Sequence, residues 1–68
     1  MFRRYLYLRQ VIVNTKSDQA FRGVLWRRRG GYLVLRQAVM LRGRGETTPV
    51  DGEVLIYREN VDFIQVVG

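Results

Sequence analysis

The sequence predicts an all-β fold: a small, strongly bent, five-stranded antiparallel barrel with a short N-terminal helix or arm. Three observations predict it. Short runs of β-branched and aromatic residues alternate with turn residues, as is typical of small barrels. Gly23 lies inside the second run, where a strand bends sharply or another backbone comes close. The third run is apolar on both faces for much of its length, as expected of a strand covered by its neighbours.

The 68 residues are expected to form one domain, residues 1–68. Residues 1–10 fit a short helix and an extended arm equally well. Polar residues at 16–19 predict a turn, the Gly30-Gly31 pair predicts a tight hairpin, and the stretch up to Pro49 predicts a loop. The strands are predicted at residues 11–15, 20–28, 32–42, 50–57 and 61–67.

The last two predicted strands are apolar and contain few charges that would block edge pairing. Exposed edges of this kind pair with other chains unless they are covered. A chain this short also has marginal stability without a disulfide, a metal or a partner subunit. Since the sequence has no cysteine and no histidine, we expect self-association to supply the missing stability.

The charge is strongly asymmetric along the chain. Eleven of the twelve basic residues are arginine, whose planar guanidinium pairs with phosphate and stacks on rings. Residues 1–45 contain eleven bases and one acid, a charge of +10, whereas residues 46–68 contain one base and five acids, a charge of −4. This distribution indicates a polyanionic partner, head-to-tail packing of identical subunits, or simply a solvated charged surface.

An enzyme is not expected, because general acid and base catalysis near neutral pH usually uses a histidine or a carboxylate with a shifted pKa. Asp51 and Glu53 have the spacing of one strand face, but no nucleophile or phosphate loop accompanies them. We expect no cofactor, no metal and no small-molecule substrate. No apolar run approaches the roughly 20 residues of a membrane span, so we expect a cytoplasmic protein with no membrane partner.

Two sequence motifs resemble those of a known family. The first is Phe21-Arg22-Gly23-Val24-Leu25 followed by Leu33-Val34-Leu35-Arg36-Gln37-Ala38, and the second runs from Gly52 to Val61 as Gly-Glu-Val-Leu-Ile-Tyr-Arg-Glu-Asn-Val. In this order and at this separation they resemble the two motifs of the Sm and Sm-like (LSm) proteins. The resemblance covers the chain from about Val11 to Val67.

The resemblance implies an N-terminal helix, five bent strands and a homo-oligomeric ring of six or seven subunits, joined through the fourth strand of one copy and the fifth of the next. It also implies binding of single-stranded, often uridine-rich RNA at the inner rim of that ring. The family's loop before the Leu-Val-Leu run carries an Asp, an aromatic residue or His, and an Asn. Here Tyr32 takes the Asn position, and the loop is about one residue shorter.

The second motif also departs from the family, because Tyr57 and Arg58 replace its Arg-Gly pair and Asn60 alone is unchanged. Uridine specificity is therefore not implied. Aromatic faces stack on any base, and arginines pair with phosphates, so the sequence predicts RNA binding with little sequence preference. The predicted RNA-binding residues are Arg27, Arg28, Arg29, Tyr32, Tyr57, Arg58 and Asn60.

Other interpretations stay open at this point. The tyrosines could fill a seam between subunits while the arginines are solvated, and Trp26 could be a stacking surface or an interface anchor. The second function is a structural or assembly barrel without an RNA role, for example a component of a phage particle or a scaffold. Binding of the basic surface to DNA or to a membrane is not excluded by charge alone.

Overall fold

A computed structural model describes residues 8–68, except for the side chain of Arg28, and shows the all-β fold that the sequence predicts. The predicted helix or arm at residues 1–10 falls mostly on residues 1–7, which lie outside the described part. Single 3-10 turns occur at Gly43–Gly45 and Arg58–Asn60. No helix in residues 8–68 has the length and apolarity to cross a membrane. The strands are β1 (Gln10–Thr15), β2 (Ala20–Arg29), β3 (Tyr32–Leu41), β4 (Thr47–Pro49), β5 (Glu53–Tyr57) and β6 (Val61–Val66).

The strands form one antiparallel sheet in the order β4-β3-β2-β1-β6, and β5 also pairs with β3. β4 pairs with the end of β3, at residues 39–41, and β5 pairs with its beginning, at residues 32–36. β6 pairs with β1. Within residues 8–68, β5 and β6 do not pair with each other, so each leaves one edge of the sheet open.

The predicted fourth strand at 50–57 is shorter than expected, and part of the predicted loop forms β4. Both strands lie along the same edge of β3, and the chain turns between them at Gly52, whose φ is 75°. Val50 remains attached to β3, because its N–H donates to the carbonyl of Ala38 at 3.0 Å. Pro49 is tolerated in β4 because an edge strand does not need every backbone N–H.

Gly23 lies where two backbones come close, as the sequence predicts. A Cβ atom placed there would lie 3.0 Å from the carbonyl oxygen of Arg36 and 3.1 Å from Cα of Ala38. The pairing of β2 with β3 shifts at this point, and Gln37 opposite has a φ of 53°. The missing side chain therefore lets the sheet bend tightly.

The core lies on the concave side of the bent sheet. Alternate residues of each strand face it, as the period of a strand requires. Tyr32, Val34 and Arg36 therefore lie on the opposite, outer face of β3, between the core positions. The core cluster consists of Val11, Val13, Leu25, Leu33, Leu35, Ala38 and Ile56.

Candidate nucleic-acid interface

Tyr32 and Tyr57 lie side by side at one end of the sheet, because they are opposite each other in the pairing of β3 with β5. Their ring centroids are 4.8 Å apart and the ring planes are inclined by 34°. Aromatic pairs at this separation are stabilised by about 0.5–1.5 kcal/mol beyond their burial. Tyr57 remains 59% exposed, so much of its ring surface is accessible to a ligand.

The Tyr32 hydroxyl donates a hydrogen bond to the Tyr57 hydroxyl at 3.5 Å. This is long for a bond between hydroxyl groups, so the ring contact contributes more than the hydrogen bond to holding the pair together. The hydrogen bond to Tyr57 raises the pKa of the Tyr32 phenol above its ordinary value, and the charge interaction between the two groups acts in the same direction. Tyr32 is therefore neutral at physiological pH.

The turn between β2 and β3 determines where the tyrosines lie. It has only two residues, and Gly30 takes a φ of 57°, which glycine adopts without steric cost. The pairing of the two strands consequently continues to Arg29 and Tyr32. The N–H of Arg58 donates to the carbonyl of Gly31 at 2.9 Å, which holds the 3-10 turn after β5 against this hairpin.

Arg27 and Arg29 line a surface pocket of about 380 Å³ beside Tyr32. Their position depends on a shift in the pairing of β2 with β3 between Leu25 and Arg27, which leaves Trp26 as an extra residue. After the shift, Arg27 lies opposite Val34 and Arg29 opposite Tyr32, on the outer face. The backbone of Arg28 pairs with Leu33, and its side chain is outside the described part. The other residues lining the pocket are Gly30, Val34, Glu53 and Leu55.

Asn60 has a different environment from the other predicted residues. Its side-chain amide donates to the Ser17 hydroxyl at 3.1 Å, and its backbone carbonyl accepts from the backbone N–H of Lys16 at 2.7 Å. Both bonds attach the 3-10 turn after β5 to the turn between β1 and β2. An RNA contact by Asn60 remains a prediction, and the structure gives this side chain a role in the fold.

Two solved structures resemble the whole of this architecture. One is the crystal structure of a heptameric archaeal Sm protein, with a TM-score of 0.82 and 26% identity, which covers 96% of this chain and 94% of that chain. The other is the SmAP1 heptamer of P. aerophilum, with the same TM-score, identity and coverage of this chain, and 86% coverage of its own. The chain has the fold of the Sm-like proteins.

A third similar structure shows the breadth of the fold. A chain in the NatC complex bound to CoA has a TM-score of 0.80 at 19% identity, covering 98% of this Sm-like chain and 87% of that chain, which shows the fold alone. No family model matches the sequence, and no curated protein does. The changed residues of the two motifs, at Tyr32, Tyr57 and Arg58, lie at the tyrosine pair and the turns beside it. The apolar motif residues Leu25, Leu33, Leu35 and Ile56 belong to the core cluster.

Several residues of this interface in the Sm-like protein were missed by the sequence reasoning. Val34, Leu55 and Glu53 line the pocket, and Arg36 lies on the same face beside Trp26, for which the sequence left a stacking surface and an interface anchor both open. The alternation of side chains along a strand could have indicated these residues. Residues 32, 34 and 36 share one face of β3, and residues 53, 55 and 57 of β5 lie beside them on the same face of the sheet. Residues 8–68 contain no cluster of acidic side chains that could hold a metal ion.

Proposed function

We propose that this Sm-like protein is a non-catalytic, ring-forming protein that binds single-stranded RNA with low sequence specificity in the cytoplasm. The ring would contain six or seven copies of the chain. The RNA would bind by base stacking on Tyr32 and Tyr57 and by phosphate contacts with neighbouring arginines. The single observation that supports RNA binding most directly is the tyrosine pair, in which Tyr57 is exposed, bordered by arginines.

The open edges of β5 and β6 support ring formation. Leu55 on β5 is 53% exposed and Phe63 on β6 is 52% exposed, which is unusual for large apolar side chains on a sheet edge. Pairing of β5 with β6 of the next copy would satisfy both edges and place the two side chains side by side. This is a head-to-tail contact, which closes into a ring when the rotation between copies permits it. The two similar archaeal structures are heptamers.

The residues around the tyrosine pair support sequence-tolerant binding. Stacking of a base on an aromatic side chain contributes about 1–3 kcal/mol and does not distinguish one base from another strongly. Arg27, Arg29 and Arg58 lie close to the pair along β2 and the turn after β5. The two-residue hairpin leaves no loop that could present the Asp and Asn that the Sm resemblance would supply for uridine recognition.

A fluorescence-anisotropy titration with a short labelled single-stranded RNA tests this proposal. We expect micromolar or tighter binding at 50 mM salt, a steep loss of affinity by 200 mM salt, and similar affinities for uridine-rich and adenosine-rich strands, because the phosphate contacts release counterions. The double variant Tyr57→Ala with Arg58→Ala should bind at least about tenfold more weakly. Gln37→Ala, an exposed change outside the pocket, is the matched control. Absence of binding at low salt would refute the proposal.

The second candidate function is a structural barrel that assembles with other proteins and has no RNA role. The open, apolar edges of β5 and β6 favour it, because they suit protein contacts and need no nucleic acid. In the same titration this function predicts assembled protein, detected by light scattering, that does not bind RNA at any salt concentration. The RNA proposal predicts that assembly and binding occur together.

A further inference from the structure

Trp26, Arg36 and Glu53 form a charged and aromatic cluster on the outer face of β2, β3 and β5. The guanidinium carbon of Arg36 lies 4.0 Å from the Trp26 ring centroid, and Arg36 Nε donates to Glu53 Oε2 at 3.0 Å. The Arg36 and Glu53 side chains are 44% and 45% exposed, and Trp26 is 36% exposed. Trp26 does not belong to the core cluster, so core packing does not explain a tryptophan at this position.

This cluster is connected to the tyrosine pair by three successive rows of the sheet. Tyr32, Val34 and Arg36 are every second residue of β3, so neighbouring rows lie roughly 6.6–6.8 Å apart. The first row contains the tyrosine pair, the second forms the floor of the pocket, and the third contains the cluster. The residues of each row follow the order β2, β3, β5. The first row is Arg29, Tyr32 and Tyr57, and the second is Arg27, Val34 and Leu55. The third is Val24, Arg36 and Glu53, and Trp26 lies beside it.

We propose that a bound RNA strand continues from the tyrosine pair across this outer face, and that Trp26 with Arg36 is a second stacking site for its bases. The inference rests on the proposed RNA binding and extends it to a defined path on each subunit. The distance from the row of Tyr32 to the row of Arg36 is roughly 13 Å, four residues along the strand. A strand of several nucleotides would therefore occupy both sites.

The chemistry of the face suits such a path. Arg27 and Arg29 provide positive charge along one side, and no side-chain ion pair involves either of them within residues 8–68. Glu53 is the single acid among the residues of the three rows, and Arg36 neutralises it. Bases stack on tryptophan rings and on guanidinium planes, and Arg36 and Trp26 present both surfaces together. The pocket between the two sites is within the usual size range of ligand sites.

Trp26 is the sole tryptophan of the chain, so its fluorescence reports on this site alone. We expect an unlabelled single-stranded RNA of about eight nucleotides to quench the Trp26 emission as it saturates the protein. Trp26→Ala should weaken binding of this strand about fivefold or more, the lower end of the loss of one stacked base. Binding of a dinucleotide, which is too short to extend from the tyrosine pair to Trp26, should be unchanged. Trp26→Phe, which keeps an aromatic face, should restore most of the affinity for the longer strand.

Two further variants keep the test valid if Trp26→Ala folds poorly. Glu53→Gln leaves Trp26 in place and removes the one negative charge of the path, so the longer strand should bind more tightly and the dinucleotide equally well. Gln37→Ala, on the same strand but outside the rows, is the control. Unchanged Trp26 emission in the saturated complex, or an equal effect of Trp26→Ala on both lengths, would refute this path and leave binding at the tyrosine pair intact. If neither strand binds, both proposals fail.

Discussion

Gly23 is the residue at which the fold tolerates a side chain least. The nearest atoms to an added Cβ belong to the backbone of Arg36 and to Ala38, at 3.0–3.3 Å, and backbone cannot move aside as a flexible side chain can. We predict that Gly23→Ala destabilises the protein by about 1–3 kcal/mol, the usual range for overpacking a core. Urea denaturation, followed by circular dichroism, measures the change.

Gly31→Ala is the matched control for this prediction. Gly31 has no atom within 4 Å of an added Cβ, and its φ is not in the left-handed region. Replacement by alanine should be neutral or stabilise by up to about 1 kcal/mol, because it reduces the freedom of the unfolded chain. Equal urea midpoints for the two variants would contradict the close approach at Gly23.

The tyrosine pair gives a prediction about pH. The hydrogen bond to Tyr57 requires a protonated Tyr32 and raises the pKa of Tyr32. The contribution of this bond to the stability of the folded protein is therefore complete below the ordinary tyrosine pKa of about 10. It is lost only as the pH rises through the higher pKa of the folded protein. RNA affinity should therefore change little between about pH 6 and pH 9.

The Tyr57→Phe variant tests the origin of this shift. Phenylalanine keeps the ring contact and removes the acceptor, so the pKa of Tyr32 should fall back towards its ordinary value, as measured by NMR titration of the Tyr32 ring. RNA affinity should stay near that of the unchanged protein, since stacking uses the ring. A Tyr32 titration that is identical in both proteins would assign the shift to another cause.

At the scale of whole strands, the edges of β5 and β6 determine how copies can meet. Phe63 projects from β6 on the outer face and is half exposed in the single chain, so a charge at this position should not prevent folding. In a ring the same charge would be buried against β5 of the next copy, at a cost of several kcal/mol. We predict that Phe63→Asp gives monomers in native mass spectrometry while Gln37→Asp retains the assembly. Intact rings of Phe63→Asp would exclude this edge from the contact.

The strands also show how far sequence reasoning reaches. Hairpins with local signals, such as the one at Gly30, were predicted closely because the turn residues specify them. β4 was missed, because three residues ending in proline have little propensity of their own and become a strand by pairing with residues 39–41 of β3. The register shift at Trp26 was missed for the same reason, since it depends on the partner strand. Consequently the tyrosine pair could be anticipated from the motifs, whereas the outer face beyond it could not.

For the molecule as a whole, basic side chains gather at one end of the sheet. Arg27 and Arg29 line the pocket beside Tyr32, and Glu53, the one acid among the residues lining that pocket, forms an ion pair with Arg36. This leaves an excess of positive charge on the outer face near the hairpin at Gly30, an arrangement that suits a polyanion at this surface.

Assembly and folding should therefore be linked in this protein. Within the described part, eight apolar side chains form the buried set, a small core even for a chain of 68 residues, and the open edges add stability only when a second copy covers them. Because a ring dissociates as its subunits unfold, its Tm must rise with protein concentration. A hundredfold increase should raise Tm by on the order of 10 °C for a domain of this size, as measured by scanning calorimetry. Phe63→Asp should show a lower Tm that does not depend on concentration. If the unchanged protein also melts at one temperature at all concentrations, its stability comes from the single chain and the ring is not part of the folded unit.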